Sequence, residues 1–318
     1  MNEVGATIQD LDTPVLLADL DLVESNILRM ADFLKSRKTK LRAHTKVHRI
    51  PALAQKQLVA GAKGVCCQKV SEAQVMVSAG IKDVMVTNQI VTTQKIRRLV
   101  DLAKKAHLSV AVDNEENALL ISKIASEEGA EVGMMVDVHM GSQRCGVEAG
   151  EPAVELARNV SRLKGVRLEG LMGFEGHLSG TEPREKRRAE VEKAESELVK
   201  TRTLAEKAGI RIGNISTGST GTYDITAKNP EIAELQAGTY LLMAWGYHKH
   251  VPEFECALTV LSTVISRPDA HRVITDAGLM SINTDQGIPH VAKRDDAEVQ
   301  EMHAENTQLR TKADSKIS

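Results

Sequence analysis

A chain of 318 residues has room for about two domains, or for one large barrel with an appendage. Its 42% hydrophobic and 26% charged content is ordinary globular usage and excludes a disordered chain. Lys and Arg total 41 against 43 Asp and Glu, a net charge of −2, which offers no basic footprint to nucleic acid or to an anionic membrane. No apolar run approaches the roughly 18 residues of a membrane span. The polar, acidic start (1–12) is not a signal peptide, so the expected location is cytoplasmic. With three Phe, three Tyr and one Trp, the core must be built from aliphatic side chains and Met. That suits the branched-aliphatic interior of a parallel barrel better than a β-sandwich. The four cysteines show no CxxC spacing and read as buried, reduced thiols.

In chain order, a short strand at 14–19 and a helix at 21–36 precede a series of alternating elements. Strands are expected at 40–43, 64–67, 83–87, 109–112, 131–138, 168–174, 210–216 and 234–241. Between them, 50–60, 71–79, 92–106, 114–128 and 151–163 keep apolar residues at spacings of three and four, the helical period. The highly charged 183–208 reads as a solvated outer helix that stops at Gly209. Eight strand–helix repeats imply an α/β fold, a closed (β/α)8 TIM barrel. The open doubly wound alternative lacks its signature, because neither GxGxxG nor GxxxxGK[ST] occurs. After the barrel, 257–266 and 272–276 read as antiparallel strands, and the tail beyond Pro289 as polar and mostly helical in pattern. The expected division is an N-terminal strand within 1–22 that packs with a β-domain, a barrel over 23–250, and a partial β-domain with polar tail over 251–318.

Barrel chemistry sits at the C-terminal ends of the strands. The first strand ends in Arg42, His44, Lys46, His48 and Arg49. Two histidines and two arginines around one lysine could depress its pKa, and a partly neutral lysine can form a Schiff base; a base-rich surface loop is the competing interpretation. The seventh strand ends in Gly218, Ser219, Thr220 and Gly221, and the eighth near Gly238, Thr239 and Tyr240. Glycine backbone and hydroxyls there suit an anion, and barrels commonly hold phosphate in these two loops. A lysine facing a phosphate cradle is the layout for pyridoxal 5′-phosphate. Polar residues at other strand ends (Gln68, Lys69, Asn88, Asp113, Asp137, His139, Arg144, Glu175 and His177) fit a small polar substrate.

Together these residues resemble a known family. The run R-A-H-T-K-V-H at 42–48, the block G-V-C-C-Q-K-V-S-E-A at 64–73, the Arg144-Cys-Gly-Val turn, Asp276-Ala-Gly and Asp285-Gln-Gly are similar to the D-threonine aldolase / D-serine dehydratase group. The Cys-Cys-Gln-Lys-Val-Ser-Glu block resembles 3-hydroxy-D-aspartate aldolases in particular. The resemblance implies the alanine racemase-like fold, a pyridoxal-phosphate barrel with a β-domain, and a homodimer. It implies Lys46 as the Schiff-base lysine, Gln68 near the cofactor's phenolate side, and Arg144 on the pyridine nitrogen. The two Gly/Thr loops would hold the phosphate. The implied reaction is carbon–carbon cleavage of a D-3-hydroxy amino acid to glycine and an aldehyde. Alternatives are a D-serine or 3-hydroxyaspartate dehydratase and a non-enzymatic pyridoxal-phosphate carrier. Three departures stand out: Phe174 replaces a frequent Tyr, and Gly180 replaces a histidine base, which leaves His177 as the nearest substitute. The family's His-x-Asp or His-x-Cys metal pair has no counterpart after Pro289. The chain is therefore expected to be a fragment that lacks the end of its β-domain, without the divalent metal's ligands.

Overall fold

The computed structural model describes residues 4–317. The chain forms two compact units. One is Ile27–Tyr240; the other joins the residues up to Asn26 with those from Leu241 onward.

The larger unit is a closed barrel of eight parallel strands: β2 (Lys40–His44), β3 (Gly64–Cys67), β4 (Asp83–Gln89), β5 (His107–Val112), β6 (Val132–Val138), β7 (Val166–Gly173), β8 (Asn214–Thr217) and β9 (Glu234–Leu235). The strand β1 (Val15–Ala18) lies in the smaller unit. The expected (β/α)8 barrel is thus present, with two shorter closing strands than the sequence suggests. β8 begins at Asn214 rather than 210, and β9 pairs over only two residues on each side. The rest of the expected last strand turns away: His44 N donates to Ala237 O, and Thr239–Leu241 is a 3-10 turn.

The connecting helices follow α1 (Leu20–Lys35): α2 (Pro51–Val59), α3 (Val70–Ser78), α4 (Thr93–Ala103), α5 (Glu115–Glu127), α6 (Glu151–Val160) and α7 (Arg184–Lys207). Local sequence explains several of them. α4 buries Ile96, Leu99, Val100 and Leu102, one stripe at helical spacing. α5 is capped by Asn114, whose side chain accepts from Asn117 N at 2.9 Å. α7 buries only Arg187, Val191, Glu195, Leu198, Thr201 and Ala205 over 24 residues, as expected of a largely solvated outer helix. Gly209 ends that segment with φ +76°.

One interior layer of the barrel is rich in sulfur: Cys66, Met85, Ala111, Met135 and Met172, one from each of β3 to β7, are buried together. The N-terminal end of the barrel is closed by charge. Arg42, 2% exposed, donates through Nε to Glu234 Oε2 (2.6 Å), through Nη2 to Glu234 Oε1 (2.8 Å) and through Nη1 to Asp83 Oδ1 (2.6 Å). Lys63 Nζ reaches Glu234 Oε1 at 2.5 Å, and His107 bridges Asp83 (3.2 Å) and Glu169 (2.7 Å).

The short α8 (Tyr223–Thr226) still belongs to the barrel unit. In the smaller unit, α9 (Trp245–His248) precedes β10 (Leu258–Leu261), which pairs antiparallel with β1. Trp245 stacks on His248 and on His290, with ring centroids 5.7 and 4.2 Å apart. A separate four-stranded sheet runs β11 (Val264–Asp269), β12 (Arg272–Thr275), β14 (Thr307–Thr311) and β13 (Ala297–Met302). This corrects the helical reading of the tail. Thr307, Leu309 and Thr311 are buried at a spacing of two, and the intervening Gln308 and Arg310 are not. Glu-rich composition in Ala297–Met302 hides a similar alternation.

Candidate active site

Lys46 lies at the C-terminal mouth of the barrel, in a 3-10 turn (Thr45–Val47) directly after β2. The turn is pinned from the next strand: buried Thr45 donates through Oγ1 to Cys66 O at 2.9 Å. The Lys46 Nζ then sits 5.4 Å from the centroid of the Phe174 ring, which follows β7. Arg144 Cζ lies 5.0 Å from the same centroid. Residues that follow two other strands, far apart in sequence, thus gather around the Phe174 ring. Lys46 keeps solvent contact, yet the protein around it lowers its pKa, first by desolvation and then through the charge of Arg144.

The source of that shift differs from the one its sequence neighbours suggest. Arg42 points to the opposite end of the barrel and is held by Glu234 and Asp83, and Arg49 pairs with Glu72 at 3.2 Å. The histidines do not supply charge either. Burial, then Lys46, pushes His44 down to about 3, and burial pushes His48 down to about 4. The neutral His44 accepts at Nδ1 from Lys46 N (3.5 Å), and its Nε2 lies 3.2 Å from Thr87 Oγ1.

Arg144 belongs to a tight turn after β6. His139 N donates to Val147 O and Val147 N to Asp137 O, and Gly146 N donates to Asp113 Oδ2. Gly146 has φ +116°, and a Cβ there would stand 2.6 Å from His139 N, so the turn requires glycine. Beneath it, burial and then Asp113 push the Asp137 carboxyl up to about 6, despite a hydrogen bond from Gln89 Nε2 at 2.8 Å. Asp137 was visible in the sequence only as one polar strand end among many, and Gln89 was not singled out. Cys145 beside Arg144 is exposed and Cys256 half-buried, which corrects the reading of all four thiols as buried; Cys66 and Cys67 are buried, and burial pushes Cys67 up to about 12.

Gln68 is half-buried at the end of β3, with its N–H donating to Glu72 Oε2 at 2.8 Å. His177 is exposed, and a Cβ on Gly141 would lie 3.4 Å from its Nε2.

The two Gly/Thr loops meet through a hydrogen bond from Tyr240 N to Thr220 Oγ1 (3.0 Å). Gly238 packs on the His44 carbonyl, and a Cβ there would also come within 3.0 Å of the His44 Cβ. Gly221 packs on Ser179, whose Cα and carbonyl oxygen a Cβ would meet at 2.8 Å. The N–H groups of Thr220, Gly221, Gly238 and Thr239 find no acceptor among the described residues. Buried N–H groups are rarely left so, and four such donors in two joined loops form an anion cradle. Two predicted contacts point elsewhere. The Tyr240 phenol is buried and accepts from Gln57 Nε2 at 2.7 Å, and the Ser219 hydroxyl faces Ser179 and Thr222. Among the described residues, no group of three or more His, Cys, Asp or Glu side chains is arranged to hold a metal ion.

Comparison with known proteins accords with this geometry. Residues 18–244 match the family described as "Alanine racemase, N-terminal domain", and residues 257–317 match the "Putative serine dehydratase domain". A D-threonine aldolase of an Arthrobacter species is 36% identical over 90% of this chain and 77% of its own length. A 3-hydroxy-D-aspartate aldolase of Paracoccus denitrificans is 34% identical over 92% of this chain and 78% of its own. The crystal structure of D-threonine aldolase from Filomicrobium marinum superposes with a TM-score of 0.93 at 34% identity, covering 96% of this chain and 84% of that one. With most of its length matched and its eight strands closed into a barrel, the chain belongs to the alanine racemase N-terminal domain family.

Proposed function

We propose that this protein is a pyridoxal 5′-phosphate-dependent carbon–carbon lyase that cleaves D-3-hydroxy amino acids to glycine and an aldehyde. The observation that carries the reading is the placement of Lys46 and Arg144 around the Phe174 ring, at the same barrel mouth as the loops whose four N–H groups find no acceptor among the described residues. The names of the relatives, two aldolases among them, support the choice of reaction. The residues present fit the cofactor. Lys46 would hold its aldehyde, and the loops at Thr220–Gly221 and Gly238–Thr239 its phosphate. The chemistry this cofactor supplies when bound is an electron sink for the carbanion left at Cα.

The chain's own residues do the rest. Lys46 has a lowered pKa and so presents more neutral amine at Nζ near pH 7 than a solvated lysine does. The Arg144 guanidinium can donate to a ring nitrogen without giving up a proton. Phe174 walls the site and has no hydroxyl, so it can orient a planar group but not move a proton. His177 Nε2 can take the proton of the substrate's 3-hydroxyl. The divalent metal implied by the family resemblance has no ligand group among the described residues, and no step is assigned to it. We extend the proposal to a homodimer in the cytoplasm, on the resemblance; no helix among the described residues is long and apolar enough to cross a membrane.

Borohydride reduction with bound cofactor, followed by peptide mapping, should label Lys46. A label on Lys63, Lys69 or another lysine would overturn the assignment. Incubation with D-threonine, D-serine and D-3-hydroxyaspartate, with and without divalent metal, should yield glycine and an aldehyde. A keto acid and ammonia would instead mark a dehydratase.

A further inference from the structure

The loop that begins at Thr217 is governed by one buried carboxylate. Glu175, the second residue after β7, has no exposed surface. Its Oε2 accepts from Thr217 Oγ1 at 2.9 Å and from Gly218 N at 3.2 Å, and its Oε1 accepts from Thr222 Oγ1 at 2.6 Å. Thr222 Oγ1 is also 3.0 Å from Ser219 N and 3.1 Å from Ser219 Oγ, and Ser219 Oγ is 2.8 Å from Ser179 Oγ.

A count of protons fixes the direction of this chain. Thr222 has one hydroxyl proton, and the 2.6 Å contact to Glu175 takes it; the competing acceptor, Ser219 O, is 3.5 Å away. Thr222 Oγ1 is then an acceptor for Ser219, and Ser179 Oγ has no other acceptor among the described residues, so all three hydroxyl protons are used only when Ser179 donates to Ser219 and Ser219 to Thr222. Every hydroxyl points toward Glu175. Thr220 is different: its Oγ1 accepts from Tyr240 N, and its proton has no acceptor among the described residues. We infer that Glu175 is a positioning residue that sets the hydrogen-bond polarity of this loop, so that an anion meets the Thr220 hydroxyl and backbone N–H groups while the Ser219 hydroxyl is withheld.

The inference rests on the cofactor reading above, and the test separates the two. Glu175→Gln has a determined outcome once Ser179→Ala removes the other possible acceptor of the Ser219 proton. Gly218 N can only donate, so the amide oxygen must take the Oε2 place, and the amide NH2 then faces Thr222. Thr222 becomes a donor to Ser219, and the Ser219 proton is freed. The measurement is the dissociation constant of pyridoxal 5′-phosphate relative to that of pyridoxal, which lacks the phosphate. A general structural defect lowers both affinities, whereas the ratio follows the phosphate contacts alone.

In the wild-type background, Ser219→Ala should change the ratio by less than about twofold, and Thr220→Val should lower it by about tenfold, the effect of one hydrogen bond to a charged group. In the Glu175→Gln/Ser179→Ala background, Ser219→Ala should now cost about tenfold. Thr222→Val, again with Ser179→Ala, cuts the same relay and should expose Ser219 in the same way, should Glu175→Gln fold poorly. A loss of ratio for Ser219→Ala in the wild type, or none in either altered background, would overturn the inference. A wild type that does not prefer the phosphorylated form would overturn the cofactor reading and the inference with it.

Discussion

Replacing Arg42 by methionine tests whether the N-terminal end of the barrel is held by charge. The guanidinium is 2% exposed and makes two hydrogen bonds to Glu234, which is itself fully buried, as well as pairing with Asp83. Arg42→Met keeps the volume roughly but leaves Glu234 without its main counter-charge. Lys63 at 2.5 Å and Asn214 Nδ2 at 3.2 Å remain to Glu234, and His107 remains to Asp83. Breaking a buried pair by removing one partner costs about 3–5 kcal/mol, and the remaining partners place this case near about 3. At about 2–4 °C per kcal/mol, the melting temperature should fall by on the order of 10 °C. Urea unfolding followed by far-ultraviolet circular dichroism measures the change. Adding Glu234→Leu should recover most of the loss, because an apolar pair no longer buries an unpaired charge. A single variant as stable as the wild type, or a double variant less stable than the single one, would refute the reasoning.

The same network gives a pH signature. The side-chain bonds to Asp83 and Glu169 raise His107 from 6.5 to about 9, so its contribution is fully present below pH 6.5 and is lost as pH rises through about 9. The stability gap between the wild type and His107→Gln, measured by urea unfolding across the range from about pH 6 to about pH 10, should therefore close with rising pH. Desolvation and then Arg144 lower the Lys46 pKa; Arg144→Gln removes the second cause, and the pH midpoint for cofactor incorporation should move upward. Gly238→Ala forces a side chain against the His44 backbone, which cannot yield as a flexible side chain would. It should weaken binding of pyridoxal 5′-phosphate and lower the melting temperature together.

The barrel was legible because its signal is local. Strands such as Asp83–Gln89 and Val132–Val138 contain short aliphatic runs, and helices such as Thr93–Ala103 repeat their apolar positions at the helical period. The location of Lys46 was legible for the same reason, since one rule about strand ends selects it. What surrounds it was not. Neighbours in sequence suggested that Arg42 and Arg49 act on Lys46, but Arg42 points to the opposite end of the barrel and both arginines find acids elsewhere. Arg144 acts instead, about a hundred residues away, and only the closed barrel brings it near. The hydroxyls of Ser219 and Tyr240 looked like phosphate ligands by composition. Their direction depends on Glu175 and Gln57, and composition carries no record of where a proton points. The tail shows the same limit: its polar side chains look helical until pairing with Thr307–Thr311 reveals a half-exposed sheet.

The position of Trp245 has a practical consequence. It is the only tryptophan in the chain, and it belongs with the residues from Leu241 onward rather than with the barrel. Intrinsic emission on unfolding would thus follow the smaller unit while remaining nearly blind to the eight strands that frame Lys46. Its stacking against His248 and His290 makes that emission report the loss of these ring contacts as the unit unfolds. A melt recorded by fluorescence and one recorded by circular dichroism would weight different parts of the molecule. Coincident transitions would mark a single cooperative unit, and separated ones two units that unfold in turn.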